Sequence, residues 1–249
     1  IYQCDWSSDV CSSDLNVAYQ FRNFNFKAYL HSLLDCRAKA VLRSEGVLVN
    51  RSVSISKDIP RKRRYYCGGF PYTRHDVEAK KYGLPDFALT NYCDELYKEL
   101  KANKYDCVIF SDYDKGVFDN FDSSILKDFP ITIVDPKTGD LNRWKGCTVF
   151  KPNESEALRL SGKDTVDEAG WHLVKELGSV VLITQAGKGV SIYQKDQDVV
   201  RIVPNRKFGE VESVVGAGDC FVCFLAMGLC RGMTIVEAAD VAFHAGMLY

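Results

Sequence analysis

The chain has 249 residues, of which 46% are apolar, and its 32 Lys and Arg residues nearly balance 33 Asp and Glu residues at a net charge of −1. This length predicts one domain or two small ones with a buried core, and the balanced charge argues against a nucleic-acid partner. Because no apolar run is long enough for a bilayer span and the ten cysteines are scattered, we expect no membrane partner, reduced thiols and a cytoplasmic location.

The first fifteen residues, IYQCDWSSDVCSSDL, are rich in Ser and Asp and differ in composition from the rest of the chain. They have neither helical nor strand periodicity, and they lack the features of a signal peptide. Residues 5–15 resemble the translation of a common sequencing adapter. We therefore expect residues 1–15 to be an assembly artefact, with a polar tail as the alternative, and residues 16–249 to be the natural sequence.

The segment up to residue 80 predicts small, half-exposed strands. The predicted elements are a helix over 16–24 and strands over 27–34, 47–54, 62–67 and 72–77. Turn residues at Pro60 and over 67–71 separate the later strands. The basic, aromatic run at 61–66 lies between two such strands, which favours an exposed sheet over a nucleic-acid patch.

After Gly83 short apolar strands alternate with helices. The predicted strands are 107–110, 131–134, 148–150 and 180–184, and the predicted helices include 87–100 and 166–177. Strands of three to five apolar residues separated by helices are typical of βαβ units. The pattern predicts an α/β body with a doubly wound parallel sheet and helices on both faces.

The segment SVVGAGDCF at 213–221 carries the clearest chemical signal. The residues over 221–230 are apolar with helical spacing, so the glycines stand at a helix N-terminus, where backbone amides and the helix dipole bind anions. Gly216 and Gly218 allow a phosphate to approach the backbone, and Asp219 is a candidate general base for a hydroxyl. The alternative is a loop glycine pair with Asp219 merely capping the helix. A third glycine and a following Gly-Lys-Ser/Thr are missing, which excludes a Rossmann fingerprint and a Walker A loop.

Four ordered motifs resemble those of the ribokinase-like (PfkB) carbohydrate kinases. They are Gly216-Ala217-Gly218-Asp219-x-Phe221, the KPNESE run at 151–156, the TQAGKG turn at 184–189 and Asn16-Val17-Ala18. In that family the last of these follows an N-terminal Gly-Gly sugar motif. The resemblance covers essentially residues 16–249, and the ordered set is more specific than any single motif.

The resemblance implies a ribokinase-like three-layer α/β sandwich with a mostly parallel central sheet and a small β lid, whose strands fall within about 47–80. It implies a phosphotransferase that uses ATP and Mg²⁺, with Asp219 as the catalytic base. The implied anion hole is Gly216, Ala217 and Gly218, and the implied nucleotide-binding residues are Asn153, Thr184, Ala186, Gly187 and Gly189. Glu156 and Asn153 are implied near the metal, largely through water. The pattern at Asn153 and Glu156 also predicts a helix start with Asn153 as N-cap. The metal and capping interpretations can both hold.

Within the family, the likeness is greatest to the heptose 7-phosphate kinase module of ADP-heptose synthases, which makes a lipopolysaccharide precursor. The segments that carry it are SDYDKG at 111–116, VDPK at 134–137 and Arg74-His75-Asp76. It implies phosphorylation of a sugar phosphate at its anomeric hydroxyl, and a homodimer through the lid. The implied substrate-binding residues are Asn16, Arg74, Asp76, Asp112 and Lys115. The alternative is a ribokinase-like kinase for another sugar or a nucleoside.

Several of these residues also have simpler interpretations. Asp112 and Lys115 can belong to an ordinary polar loop, and Arg74 and Asp76 can pair across the lid. Lys137 can contact phosphate or be a solvated loop lysine. The sequence alone does not choose between these interpretations.

The chain departs from the family pattern at a few positions. Ser213 stands where an Asp is usual, Ala186 replaces a common Gly, and an adenine-pocket Asn is not evident around Phe243. These departures keep a catalytically silent nucleotide-binding paralogue as an alternative. The Gly-Gly sugar motif and the last helix are missing, so we expect a fragment truncated at both ends that is inactive or poorly folded as printed. Cys220 and Cys223 have no matching ligand pair, and we expect free thiols there instead of a zinc site.

Overall fold

The computed structural model describes residues 2–3, 17–18, 20–21, 24, 26–32, 40, 42–44, 46, 48–49, 61–67, 70–77, 86–113, 117–137, 139–204 and 216–248. The chain divides into two compact units, Ile1–Tyr92 and Cys93–Tyr249, which are described separately. None of the helices in these ranges has the length and apolarity that a membrane span requires.

The first unit contains two small sheets. Its strands are β1 (Tyr2–Gln3), β2 (Tyr29–Leu30), β3 (Leu48–Val49), β4 (Arg61–Cys67) and β5 (Phe70–Val77). β4 pairs with β1 and with β5, both antiparallel, while β2 pairs parallel with β3. The strands predicted over 62–67 and 72–77 are therefore confirmed. Of the strand predicted over 47–54, residues 47 and 50–54 lie outside the described ranges.

The second unit carries the α/β body. Its helices are α1 (Asp86–Ala102, which starts in the first unit), α2 (Glu154–Ser161), α3 (Val166–Leu177), α4 (Ala217–Cys230) and α5 (Ile235–Leu248). Its strands are β6 (Val108–Asp112), β7 (Thr132–Pro136), β8 (Val149–Phe150), β9 (Val180–Thr184), β10 (Val190–Tyr193) and β11 (Val200–Ile202).

These six strands form one mostly parallel sheet in the order β11-β10-β9-β8-β7-β6. β6 to β9 are parallel neighbours, as the βαβ pattern predicts. β10 and β11 turn back antiparallel at one edge, which the sequence analysis did not predict. The sheet is therefore mixed, with its parallel part at β6 to β9.

Alternate strand residues pack into two layers on opposite faces of the sheet. Val134, Phe150 and Val181 belong to a cluster with Leu173 of α3. The residues between them, such as Ile133, are equally buried but lie outside that cluster, because successive side chains on a strand point to opposite faces. α4 packs on β7, and α5 on β10 and β11. Helices thus cover the sheet in a three-layer α/β sandwich, as expected.

An aromatic cluster anchors the loop after β7. Trp144 ends a short 3₁₀ helix, Leu141–Trp144, and is buried. Its ring centroid lies 5.4 Å from that of Phe110 and 5.3 Å from those of Phe118 and Phe121. This packing holds the preceding residue, Arg143, beside the end of β6.

Candidate active site

Polar residues gather where β6 to β9 end, at what we call the carboxyl edge of the sheet. The backbone amide of Lys137 donates to the carbonyl of Asp112 at 2.8 Å, and that of Thr184 donates to the carbonyl of Pro152 at 3.1 Å. A single parallel bridge also joins Asn153 to Thr184. Parallel α/β sheets bind ligands at this edge. The structure thus brings Asp112, Asn153 and Thr184 to neighbouring strand ends.

A buried ion pair lies at the same edge. Lys151 Nζ is 2.9 Å from Asp135 Oδ1, although the two groups are not aligned as a hydrogen bond, and their side chains are only 4% and 6% exposed. Both residues fall within motifs quoted above, VDPK and KPNESE, but neither was predicted to be a site residue. Both immediately follow predicted buried strands, where α/β sheets bind ligands.

The start of α2 is closed by a complete capping box. Asn153 Oδ1 accepts from the amide of Glu156 at 2.9 Å, and Glu156 Oε2 accepts from the amide of Asn153 at 2.8 Å. The interpretation of Asn153 as N-cap is confirmed. The capping contacts fix the buried Glu156 carboxylate in place, and its other oxygen faces Lys137.

Lys137 lies among the acidic groups of this edge. Its Nζ donates to Glu156 Oε1 at 2.7 Å and lies 5.4 Å from the centre of the Tyr113 ring. Burial alone would lower the pKa of Lys137, but the carboxylates of Asp135, Glu156 and Asp219 outweigh it, and the pKa lies above its ordinary value. Lys137 is thus partly exposed and ion-paired at the sheet edge, and its contact with phosphate stays a prediction.

The N-terminus of α4 supplies the predicted glycine segment. Gly216 is the N-cap with φ 86°, a left-handed conformation that favours glycine, and the first helical bond runs from the amide of Cys220 to the carbonyl of Gly216 at 2.8 Å. The amides of Ala217 and Gly218 therefore precede the helical ladder. Asp219 lies in the first turn, close enough for its charge to act on Lys137. The glycine segment thus begins a helix, as predicted.

The predicted nucleotide-side turn is a tight loop between β9 and β10. Ala186–Lys188 form a single 3₁₀ turn, and the amide of Gln185 donates to the carbonyl of Gly189 at 2.9 Å. Gly189 has φ 111°, and a Cβ there would lie 1.9 Å from the carbonyl oxygen of Ile202. Only glycine fits this position. Ala186 adopts φ 47°, the left-handed region that costs a non-glycine residue energy.

Arg143 is a site residue that the sequence analysis missed. Its guanidinium lies 3.4 Å from Asp112 Oδ2 and 3.3 Å from Asp119 Oδ1, and its side chain is 12% exposed. It joins the two ends of the loop that follows β6. No sequence signal links Arg143 to partners so far away along the chain.

The remaining predicted site residues are not brought together by the structure. Asn16 and Lys115 lie outside the described residues. Arg74 and Asp76 lie on β5 in the first unit, directly opposite Arg64 and Lys62 of β4. Their predicted role in sugar binding stays a prediction.

The carboxyl edge has oxygen donors suited to a hydrated Mg²⁺. Glu156 and Asn153 carry hard oxygen atoms, but their hydrogen bonds within the capping box and to Lys137 already engage them. In the described part of the chain no three His, Cys, Asp or Glu residues cluster as a metal site. The donor set therefore fits Mg²⁺ that keeps most of its water shell and takes its other ligands from phosphate oxygens.

Comparison with known sequences gives a consistent set of relatives. The family model described as pfkB family carbohydrate kinase matches residues 103–249. The chain is 29% identical over 213 residues to the bifunctional protein HldE of Helicobacter hepaticus, covering 81% of this chain and 43% of that protein. It is 32% identical over 193 residues to the bifunctional protein HldE of Nitratiruptor sp., covering 73% of this chain and 39% of that protein. The chain thus spans about two fifths of the length of these relatives.

Solved structures share the fold. Phosphofructokinase-2 from Escherichia coli in complex with fructose-6-phosphate aligns with a TM-score of 0.71 at 17% identity, over 94% of this chain and 80% of that chain. Arabidopsis thaliana ribokinase complexed with ribose and ATP aligns with a TM-score of 0.63 at 16% identity, over 96% and 80% of the two chains. At such identities the likeness concerns the fold alone, which is ribokinase-like.

Proposed function

The chain belongs to the pfkB family of carbohydrate kinases, and on this premise we propose that it transfers the terminal phosphoryl group of ATP to the anomeric hydroxyl of a heptose 7-phosphate. Its enzyme class is that of the family, a carbohydrate kinase. The choice of sugar and of hydroxyl is the proposal. The relatives named bifunctional protein HldE and the motifs at 111–116 and 134–137 support that choice.

The observation that carries the proposal is the convergence of charge at the carboxyl edge. Asp219 stands in the first turn of α4, and its charge reaches Lys137, which is paired with Glu156 at 2.7 Å. Phosphoryl transfer needs positioned charge more than covalent chemistry. Such a transfer uses a base, a cation and a helix N-terminus. All three are found at the carboxyl edge of this sheet.

Asp219 is proposed to accept the proton of the sugar hydroxyl. The oxygen of that hydroxyl then attacks the terminal phosphorus of ATP. The new bond joins that oxygen to phosphorus, the bond from phosphorus to the bridging oxygen breaks, and ADP leaves with the electron pair. The amides of Ala217 and Gly218 would stabilise charge on the phosphoryl oxygens. Glu156 and Asn153 would hold Mg²⁺ through water, and the metal, when bound, neutralises phosphate charge.

The lid and the assembly belong to the same proposal. We place the lid in the hairpin of β4 and β5, within the expected 47–80 range, and propose a homodimer formed through it. Light scattering of the full-length gene product that contains residues 16–249 tests the assembly. Twice the monomer mass is expected, and a monomer at working concentrations contradicts it.

A panel of acceptors tests the substrate. The full-length gene product is incubated with Mg²⁺, ATP and, in turn, heptose 7-phosphate, fructose 6-phosphate, ribose and adenosine, and ADP formation is measured. We expect the highest kcat/KM with heptose 7-phosphate, and a phosphorus NMR signal for an anomeric phosphate in the product.

Two other outcomes would replace the proposal. A higher kcat/KM with another acceptor would make this a ribokinase-like kinase for that sugar or nucleoside. ATP binding without turnover of any acceptor would indicate a silent nucleotide-binding paralogue, the alternative that the departure at Ser213 keeps open.

A further inference from the structure

Lys137 interacts with two residues that have proposed roles in the reaction. Its ammonium group is 2.7 Å from Glu156 Oε1, on the metal side, and the charge of the base Asp219 also acts on it. Asp135 adds a third negative charge nearby. A cation held near three carboxylates offsets their mutual repulsion.

A bound nucleotide changes this balance. The phosphates of ATP bring more negative charge to an edge that already has three carboxylates, and each needs a cationic or amide partner. Lys151 is unsuited to that task, because it is 4% exposed and paired with Asp135. The side chain of Lys137 is 36% exposed, so one side of its ammonium group is open to a ligand.

The geometry of Lys137 also allows it to change partners. Lysine is a point charge on a flexible four-carbon stem with three donors. The capping box holds Glu156 from the other oxygen, so the carboxylate stays in place when Lys137 moves. The Tyr113 ring lies 5.4 Å from the ammonium group and offers it a cation–π contact when Lys137 changes partners.

We propose that Lys137 exchanges its ion pair with Glu156 for the terminal phosphate of ATP and thereby contacts the group that is transferred. This inference rests on the proposed function and adds a residue to it. The exchange also frees Glu156 Oε1 to accept from the water shell of Mg²⁺. The ion pair seen in the structure is then the contact that Lys137 gives up when ATP binds.

Nucleotide binding without metal or sugar tests the exchange directly. Calorimetry on the full-length gene product in EDTA compares the affinities for ATP and ADP, which differ by the terminal phosphate. For Lys137→Met we expect an affinity for ATP that is about 10-fold to 100-fold weaker. The affinity for ADP should stay that of the wild type.

Glu156→Gln should change the affinity for ATP in the opposite direction to Lys137→Met, or leave it unchanged. It breaks the same 2.7 Å ion pair, but glutamine is also accepted in a capping box, so the start of α2 is kept. It removes a negative charge and releases Lys137. We therefore expect ATP to bind to Glu156→Gln at least as tightly as to the wild type in EDTA.

Two controls separate binding from folding. Lys137→Arg keeps the positive charge and should retain most of the preference for ATP over ADP. Lys98→Met breaks an exposed lysine–glutamate pair on α1, with a contact of 2.8 Å, and should leave both affinities unchanged. Thermal unfolding of each variant shows whether it folds.

Two results would overturn the exchange. In the first, Lys137→Met weakens ATP and ADP equally, or neither of them. In the second, Lys137→Met and Glu156→Gln shift the affinity for ATP in the same direction, which is the result that a merely structural ion pair gives. Failure of the sugar-kinase proposal would appear instead in the acceptor panel, because these measurements contain no acceptor.

Discussion

The charged residues at the carboxyl edge differ in how much water reaches them, and this sets the cost of removing each one. Lys151 and Asp135 are nearly fully buried, whereas the side chain of Lys188, paired with Glu154 at 3.3 Å, is 72% exposed. Breaking a buried pair leaves a charge without solvent, while an exposed pair contributes little.

Lys151→Met should therefore lower the free energy of unfolding by about 3–5 kcal/mol, because it leaves the Asp135 carboxylate buried and unpaired. Lys188→Met should change it by no more than about 1 kcal/mol. Urea unfolding followed by circular dichroism measures both. Equal effects of the two variants would contradict the burial of the Lys151 pair.

The pKa values of the cysteine thiols lead to a second prediction about single residues, which concerns their reactivity. Burial raises the pKa of Cys147 to about 12, and burial together with Cys220 raises that of Cys223 to about 12, so both remain protonated at neutral pH. A hydrogen bond from Cys107 lowers the pKa of Cys230. Cys220 and Cys223 are both buried and form no disulfide.

With iodoacetamide at pH 7.5 under native conditions, Cys230 should react well before Cys147 and Cys223, because the thiolate is the nucleophile. Mass spectrometry of peptides from timed samples gives the order. Labelling of Cys147 as fast as of Cys230 would show that the buried thiols are accessible.

Single residues also mark the limit of the sequence analysis. Asp112, Asn153 and Asp219 were predictable, because each follows a strand or begins a helix in a recognisable motif. The partners of Lys137 were not, since Glu156 and Asp219 reach it only after the strands align. Arg143 had no signal at all, because its contacts with Asp112 and Asp119 depend on the aromatic packing around Trp144.

At the scale of elements, capping residues at the helix ends made the boundaries of a helix predictable. α3 runs from Val166 to Leu177 as predicted, with Thr165 as N-cap and a left-handed Gly178 after its end. β9 also has its predicted bounds. β10 and β11 were missed, since four and three residues are too few for a reliable alternation and their pairing is antiparallel to the rest of the sheet.

The turn between β9 and β10 allows a test at this scale. Ala186 has φ 47°, and a left-handed conformation costs a non-glycine residue about 1–2 kcal/mol. Ala186→Gly should therefore raise the free energy of unfolding by about 1 kcal/mol after the entropy of glycine in the unfolded chain is subtracted.

Thermal unfolding measures this change, with an expected rise of about 2–4 °C in midpoint. Ala157→Gly is the matched control, because Ala157 lies inside α2 and glycine there should lower the midpoint. A fall for Ala186→Gly as large as for Ala157→Gly would contradict strain in the turn.

At the scale of the whole molecule, the α/β body and its ribokinase-like fold followed from the alternation of short apolar strands with helices and from the ordered motifs. The near-neutral charge fits an enzyme whose anion-binding site is local, at one helix N-terminus. The strands β4 and β5 were also indicated by their residue pattern and by the turn residues between them. The order of the strands was not, because it depends on contacts between distant segments.

The central claim is that the carboxyl edge performs phosphoryl transfer with Asp219 as base, and turnover by Asp219→Asn tests it most directly. ADP formation from ATP, Mg²⁺ and heptose 7-phosphate is measured for the full-length wild type and for Asp219→Asn, with ATP binding measured for both. We predict that the wild type turns over and that Asp219→Asn loses about 10²-fold to 10⁴-fold in kcat while still binding ATP. Turnover by Asp219→Asn at the wild-type rate would contradict the account.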